Sequence, residues 1–281
     1  MENIRILFKN IYYLYNMKDV IIIFYGLIRT AYSCIDNINQ NIINYNKNFN
    51  IKYLISTQCD KNKKEDELND QIYSIFGKNN IIDILHENIP NQKDTKEFDA
   101  NYIIMRRLRK AMDYLENCQT YDIYLFSRMD IIINNPIDLN KYNNDIFTIV
   151  TSIRPVRPCI FHNRDWDYLW IGSKKAFEIW YYSYIYGVSK VKEYKKYKYF
   201  TVHNKLNLNL DYNLSIEEKQ QISNKYKLVE MERPKSQNLW WIVRDFDRYD
   251  FMYHKCINNL ILNGCEFELS EHNNLYSLIV R

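Results

Sequence analysis

Glycine and proline are scarce, with 5 of each in 281 residues, against ordinary usage of about 7% and 5%. Collagen-like repeats, Gly/Ser linkers and proline-rich spacers are therefore excluded. Neither a GxGxxG turn nor a GxxxxGK[ST] phosphate loop occurs, and there is no GxSxG elbow. The six cysteines contain no CxxC pair, and the five histidines contain no HxH or HxxxH pair, so a zinc site is not expected. Charge of one sign is also lacking. With 38 basic and 34 acidic residues the net charge is +4, which does not give the clustered basic face of a dedicated nucleic-acid binder. No apolar run approaches the roughly 20 residues of a membrane span. Residues 1–16 do not read as a signal peptide, because Arg5 and Lys9 interrupt the apolar stretch. The scattered cysteines then read as reduced thiols in a cytoplasmic protein.

What is present is apolar and aromatic: 47% hydrophobic residues, of which the aromatics make up 16% of the chain. That is enough to bury one large core. Heavy use of Asn, Ile, Lys and Tyr reads as drift in an A+T-rich genome. Residues 1–17 are taken as an N-terminal extension and 18–281 as one domain. Within that domain, residues 18–150 and 151–281 are taken as a first and a second part.

Residues 20–25 (VIIIFY) form an unbroken β-branched and aromatic run, which predicts a strand buried on both faces of a parallel sheet. From residue 30, Tyr32, Ile35, Ile38, Ile42 and Tyr45 recur at helical spacing. Residues 51–56 are a second strand, completing a βαβ unit. Residues 81–85 predict a short third strand. Tyr102, Met105, Leu108, Met112 and Leu115 predict one face of a long helix over 98–118. Residues 122–127 predict a fourth strand and 145–151 a fifth. Residues 169–171 predict a short strand closed by Gly172, followed by a helix capped by Ser173. Ser215 and Glu218 form a capping box. A last helix over 245–262 should stop at Gly264, before an edge strand at 266–269. Strands alternating with helices predict an α/β sandwich with a largely parallel sheet flanked by helices. Ligands of such sheets sit beyond the carboxyl ends of the strands. Three strands end in polar segments there, at residues 25–29, 56–60 and 127–130.

Gly26 lets the backbone turn closely around a ligand, and Arg29 suits a diphosphate because a guanidinium binds two oxygens at once. Alternatively they are a turn glycine and a surface arginine. Arg128 and Asp130 fall on one side of the chain, where the carboxylate could hold a cation that bridges phosphates. The other reading is an internal salt bridge. Asp165 and Asp167 flank Trp166 and precede Trp170. Acids and flat aromatic faces suit a sugar, and either acid could be the general base; a polar loop with a core tryptophan fits equally well. Arg106 and Arg107 lie on the helix before the fourth strand, where one could reach phosphates while the other is solvated.

The order of these motifs resembles a family of GT-A-fold glycosyltransferases of bacterial, algal and giant-virus type. It covers Gly26-Leu27-Ile28-Arg29-Thr30, then Tyr121-Asp122 through Arg128-Met129-Asp130, then Asp165 through Ser173, within about residues 18–190. The resemblance implies a GT-A-like, Rossmann-type sandwich and transfer of a sugar from a UDP- or GDP-sugar. The acceptor would be a hydroxyl of a glycan, lipid or protein. Tyr25, Gly26, Arg29, Thr57, Arg106, Arg128 and Asp130 would bind the nucleotide-sugar. Asp165 and Asp167 would be catalytic, and Trp166 and Trp170 would bind the acceptor. Asp130 would sit where the family's D-x-D motif holds Mn2+ or Mg2+, although Arg128 stands in place of the first acid. Nucleic acid is not an expected partner, and no transmembrane segment is expected. A catalytically degenerate, glycan- or partner-binding relative is the alternative.

Overall fold

The computed structural model describes residues 17–28, 31–58, 64–87, 100–133, 135–142, 146–152, 169–183, 216–228, 250–272 and 275–277. Seven strands form one mixed sheet: β1 (Lys18–Gly26), β2 (Phe49–Gln58), β3 (Ile81–Glu87), β4 (Ile123–Arg128), β6 (Ile146–Ser152), β7 (Leu169–Gly172) and β8 (Glu266–His272). Their order is β3-β2-β1-β4-β7-β6-β8. The β1–β2, β1–β4, β2–β3 and β6–β8 pairings are parallel, while β7 runs against both neighbours. The sheet is thus mostly parallel, with one reversed strand. β5 (Ile131–Ile133), which follows shortly after β4, pairs with β9 (Leu275–Ser277) in a separate two-stranded sheet.

Helices cover both faces. α1 (Ala31–Ile38) and α2 (Glu65–Phe76) pack on one face, over Val20, Ile22 and Phe24. α3 (Ala100–Glu116), helical residues 174–183 (α4), α5 (Ile216–Lys225) and α6 (Asp250–Leu262) pack on the other, over Ile21, Ile23 and Tyr25. The alternation along β1 divides its side chains between the two layers. Ser173 accepts from the Ala176 N–H and so caps α4. Gly264, at φ +73°, ends α6 in the left-handed region as expected for a helix stop. No described helix is long and apolar enough to cross a membrane.

The expected face of α1 is corrected in part. Ala31, Cys34, Ile35, Ile38 and Ile42 are buried, whereas Tyr32 and Tyr45 are exposed. Tyr45 lies beyond a π-helical turn at Asn39–Ile43, in the non-helical turn that leads to β2. The same stretch carries an asparagine clamp. Asn37 exchanges two hydrogen bonds with the backbone of Ile133, and Asn41 donates to the Ile133 carbonyl. Asn46 donates to the Ile137 carbonyl and accepts from the Leu139 N–H. These side chains replace a β-ladder for the segment that follows β4 and β5. They hold that segment against α1.

Two predictions follow from this packing. Asn46→Ala strands a buried carbonyl and a buried N–H, each worth roughly 1–3 kcal/mol. Urea melts should therefore show a loss of about 3 kcal/mol. Burial pushes the Tyr53 and Tyr142 phenols up from 10.0 to about 12, with the Glu268 and Asp138 charges adding at Tyr142. The folded chain thus resists phenolate formation. Its stability should be intact below pH 10 and fall by about 3 kcal/mol per phenol as the pH rises to 12. Circular dichroism recorded alongside phenolate absorbance tests this, since unfolding and ionisation should coincide.

Candidate functional site

Strand order and connections single out one place. β1 is followed by β2 on one side, and the chain then crosses through α3 to enter β4 on the other side of β1. The carboxyl ends of β1 and β4 therefore flank a topological switch point, where open α/β sheets hold ligands. Register fixes which residues meet there. Gly26 pairs with Thr57, and Tyr25 pairs with Ser56 on one side and Arg128 on the other. The described parts of the three polar strand ends meet at one edge, as the sequence predicted.

Gly26 has φ +126°, a conformation that L side chains rarely adopt. Among the described residues, a Cβ added there would meet no atom within 4 Å. Among the described residues, nothing crowds the turn at this strand end. The Thr57 hydroxyl donates to the Gly26 carbonyl at 2.9 Å, and the Tyr25 carbonyl accepts from the Met129 N–H at 3.1 Å. These two bonds tie β2 and the turn after β4 to the end of β1. Tyr25 itself is buried and stacks on Phe126, with ring centroids 4.2 Å apart.

Arg128 and Asp130 form a two-point ion pair. Nε donates to Oδ1 at 2.7 Å and Nη2 to Oδ2 at 2.6 Å. Both side chains keep partial access to solvent. Of the two sequence readings, the internal salt bridge is the one present. This bears on the expected metal. Both Asp130 oxygens already accept from Arg128, and among the described residues no group of three or more His, Cys, Asp or Glu side chains stands together. The described donor set does not fit a divalent cation. Asp130 also lies close enough to Cys34 to matter: burial, then the Asp130 charge, pushes that thiol up to about 11.

A second pair lies on the α3 side of the same edge. Glu87 ends β3 and Arg107 projects from α3. They are 3% and 7% exposed, and Arg107 Nε stands 3.5 Å from Glu87 Oε2. Burial lowers the Arg107 pKa, the charges of Glu87 and Tyr25 raise it, and the Arg128 charge lowers it again. Arg107 comes from the helix that packs on the Tyr25 face of the sheet. Of the two helix arginines, Arg107 points inward, and the side chain of Arg106 lies outside the described residues. The sequence held a signal for this. Arg107 sits three residues after Ile104 and four before Ala111, both buried, so it falls on the inner stripe of α3. Glu87 follows Leu85 on the inward side of β3 by strand alternation.

Other expected site residues fare differently. Trp170 is a correction: it is 1% exposed and packs against Phe126, Phe147 and Trp180, so the core occupies its faces. Arg29, Asp165, Trp166 and Asp167 lie outside the described residues. A cavity of about 300 Å³ opens elsewhere, between α3, α4 and α5, lined by Arg109, Asp113, Tyr181, Tyr182 and Lys225 among others. No strand-end residue lines it.

Gly26→Ala should destabilise the chain by about 1–2 kcal/mol through backbone strain alone, since the added methyl meets no neighbour. Chemical denaturation of the single variant measures it. No protein-family model matches the chain and no curated protein does, so the geometry of this edge is where a functional reading has to start.

Proposed function

We propose that the chain is a glycosyltransferase that takes a sugar from UDP or GDP and transfers it to a hydroxyl of a glycan, lipid or protein, working in the cytoplasm. The carrying observation is the register of Thr57, Gly26, Tyr25 and Arg128 at the β1/β4 switch point. A positive-φ glycine that no described residue crowds admits a diphosphate close to the backbone. A forked guanidinium beside it matches two phosphate oxygens. The order of sequence motifs supports the same reading. On it, Arg29 joins the diphosphate contacts, and Asp165 or Asp167 takes the proton from the acceptor hydroxyl. The family's cation would lend Lewis acidity to the leaving diphosphate. Since the described residues do not fit it, no step is assigned to it.

A second reading is a non-catalytic relative that binds a glycan or protein partner. One observation favours it: Asp130, the only acid left of the D-x-D position, is held on both oxygens by Arg128.

A thermal-shift panel of nucleoside diphosphates and their sugars separates the two. At about 100 times Kd, a bound nucleotide should raise the melting temperature by roughly 5–10 °C. Release of nucleoside diphosphate from one donor sugar, with or without acceptor, supports catalysis. Binding without turnover on any donor favours the second reading. No shift with any nucleotide removes the first.

A further inference from the structure

Polar groups gather on one face of the sheet edge. Ser56, Tyr25 and Arg128 stand side by side in register across β2, β1 and β4. Glu87 ends β3 beside them, and Arg107 comes down from α3 with its charge felt at Tyr25 and Arg128. Ser56 Oγ is enclosed in this layer without a hydrogen-bond partner among the described residues, and Arg107 Nε has its 3.5 Å ion-pair contact with Glu87. A buried polar group without a hydrogen bond is rare and needs an explanation. Ser56 and Arg107 lie on the same face of the same edge. A diphosphate presents up to six non-bridging acceptor oxygens and few protons at neutral pH, which suits N–H and O–H groups. Each arginine already carries its own carboxylate, Glu87 for Arg107 and Asp130 for Arg128. Each guanidinium is thus fixed in position before any ligand arrives.

The geometry points to a diphosphate site built on two carboxylate-tethered arginines, Arg107 and Arg128, with no divalent cation in the binding step. This deepens the donor-site reading given above and rests on it for the location. It departs from a D-x-D arrangement in its source of positive charge. Arg107 is a ligand-binding residue here, and Glu87 is a positioning residue that acts through it. The ligand class is the diphosphate group itself, whether free or at the end of a nucleoside.

The test is calorimetric titration of the full chain with inorganic pyrophosphate and with UDP and GDP, in EDTA and again with Mn2+. Pyrophosphate and at least one nucleoside diphosphate should bind in EDTA, with a Kd within about threefold of that in Mn2+. Arg107→Gln should weaken pyrophosphate binding by about tenfold or more, and Arg107→Lys, which keeps the charge but loses the fork, by an intermediate factor. Melting curves without ligand show whether each variant folds. If Arg107→Gln does not fold, Arg107→Lys decides, and wild-type affinity in that variant counts against Arg107. Binding that appears only with Mn2+ overturns the inference and leaves the donor-site reading standing. Pyrophosphate binding that depends on Arg107, with no nucleoside diphosphate bound, supports the inference and removes the donor-site reading. Binding of neither overturns both.

Discussion

β1 has parallel neighbours on both sides, and this double pairing governs the rest of the molecule. Residues Val20 to Phe24 have no solvent exposure, so their backbone groups depend on β2 and β4 for partners. Shifting either neighbour by one residue would turn its apolar side chains to the wrong layer. The ladder therefore pins where each strand stops. Because all three strands run the same way, their carboxyl ends arrive together, and residues far apart in sequence become immediate neighbours. Thr57, Gly26, Tyr25 and Arg128 are adjacent for this reason alone.

The edge so produced is held by polar contacts that the apolar layers do not supply. Thr57 bonds the end of β1, and Met129 does the same from the turn after β4. The asparagines of α1 and its π-helical turn then fix the segment beyond β5. That segment continues from Arg128 and Asp130, so the clamp also limits how far the ion pair can wander. A π-helical turn is energetically poorer than an α turn. Here it faces Asn41 and Ile42 inward together, with Asn46 buried just beyond. Local irregularity and the clamp are one feature.

Much of this was legible in the sequence. The unbroken runs of β1, β2 and β4 name themselves as doubly buried strands, and the long stripe of α3 and the Gly264 stop behave as their patterns predict. What was hidden shares a physical cause. Periodicity reports apolar burial, so a charged residue on a buried stripe is read as its edge. Glu87 escaped for that reason, and Arg107 was named without its inward place being read, although the spacing of both was right. The four residues of β7 look the same in either direction, so their reversal belongs to the connections and not to the strand. A tryptophan near acids reads as a sugar platform, yet Trp170 alternates inward on β7 and meets Phe126. Asp130 was open to two readings in the sequence, cation ligand or internal salt bridge, and the ion pair with Arg128 is the contact present.

That last point bears on how such an edge can hold negative charge. A cation site needs carboxylate oxygens turned toward the ligand, whereas Asp130 turns both oxygens to Arg128. A bare guanidinium buried as deeply as Arg107 would be an uncompensated charge, and Glu87 supplies the compensation. The two pairs thus solve the same problem at neighbouring strand ends. Each pairs a cation with its own carboxylate, Arg107 in a buried place and Arg128 with partial access to solvent. Net charge at the edge is then close to neutral, so affinity for an anion would come from directed N–H groups and not from a long-range field. Such a site selects by geometry. It favours a ligand with several acceptor oxygens in a fixed arrangement over any anion that merely carries charge.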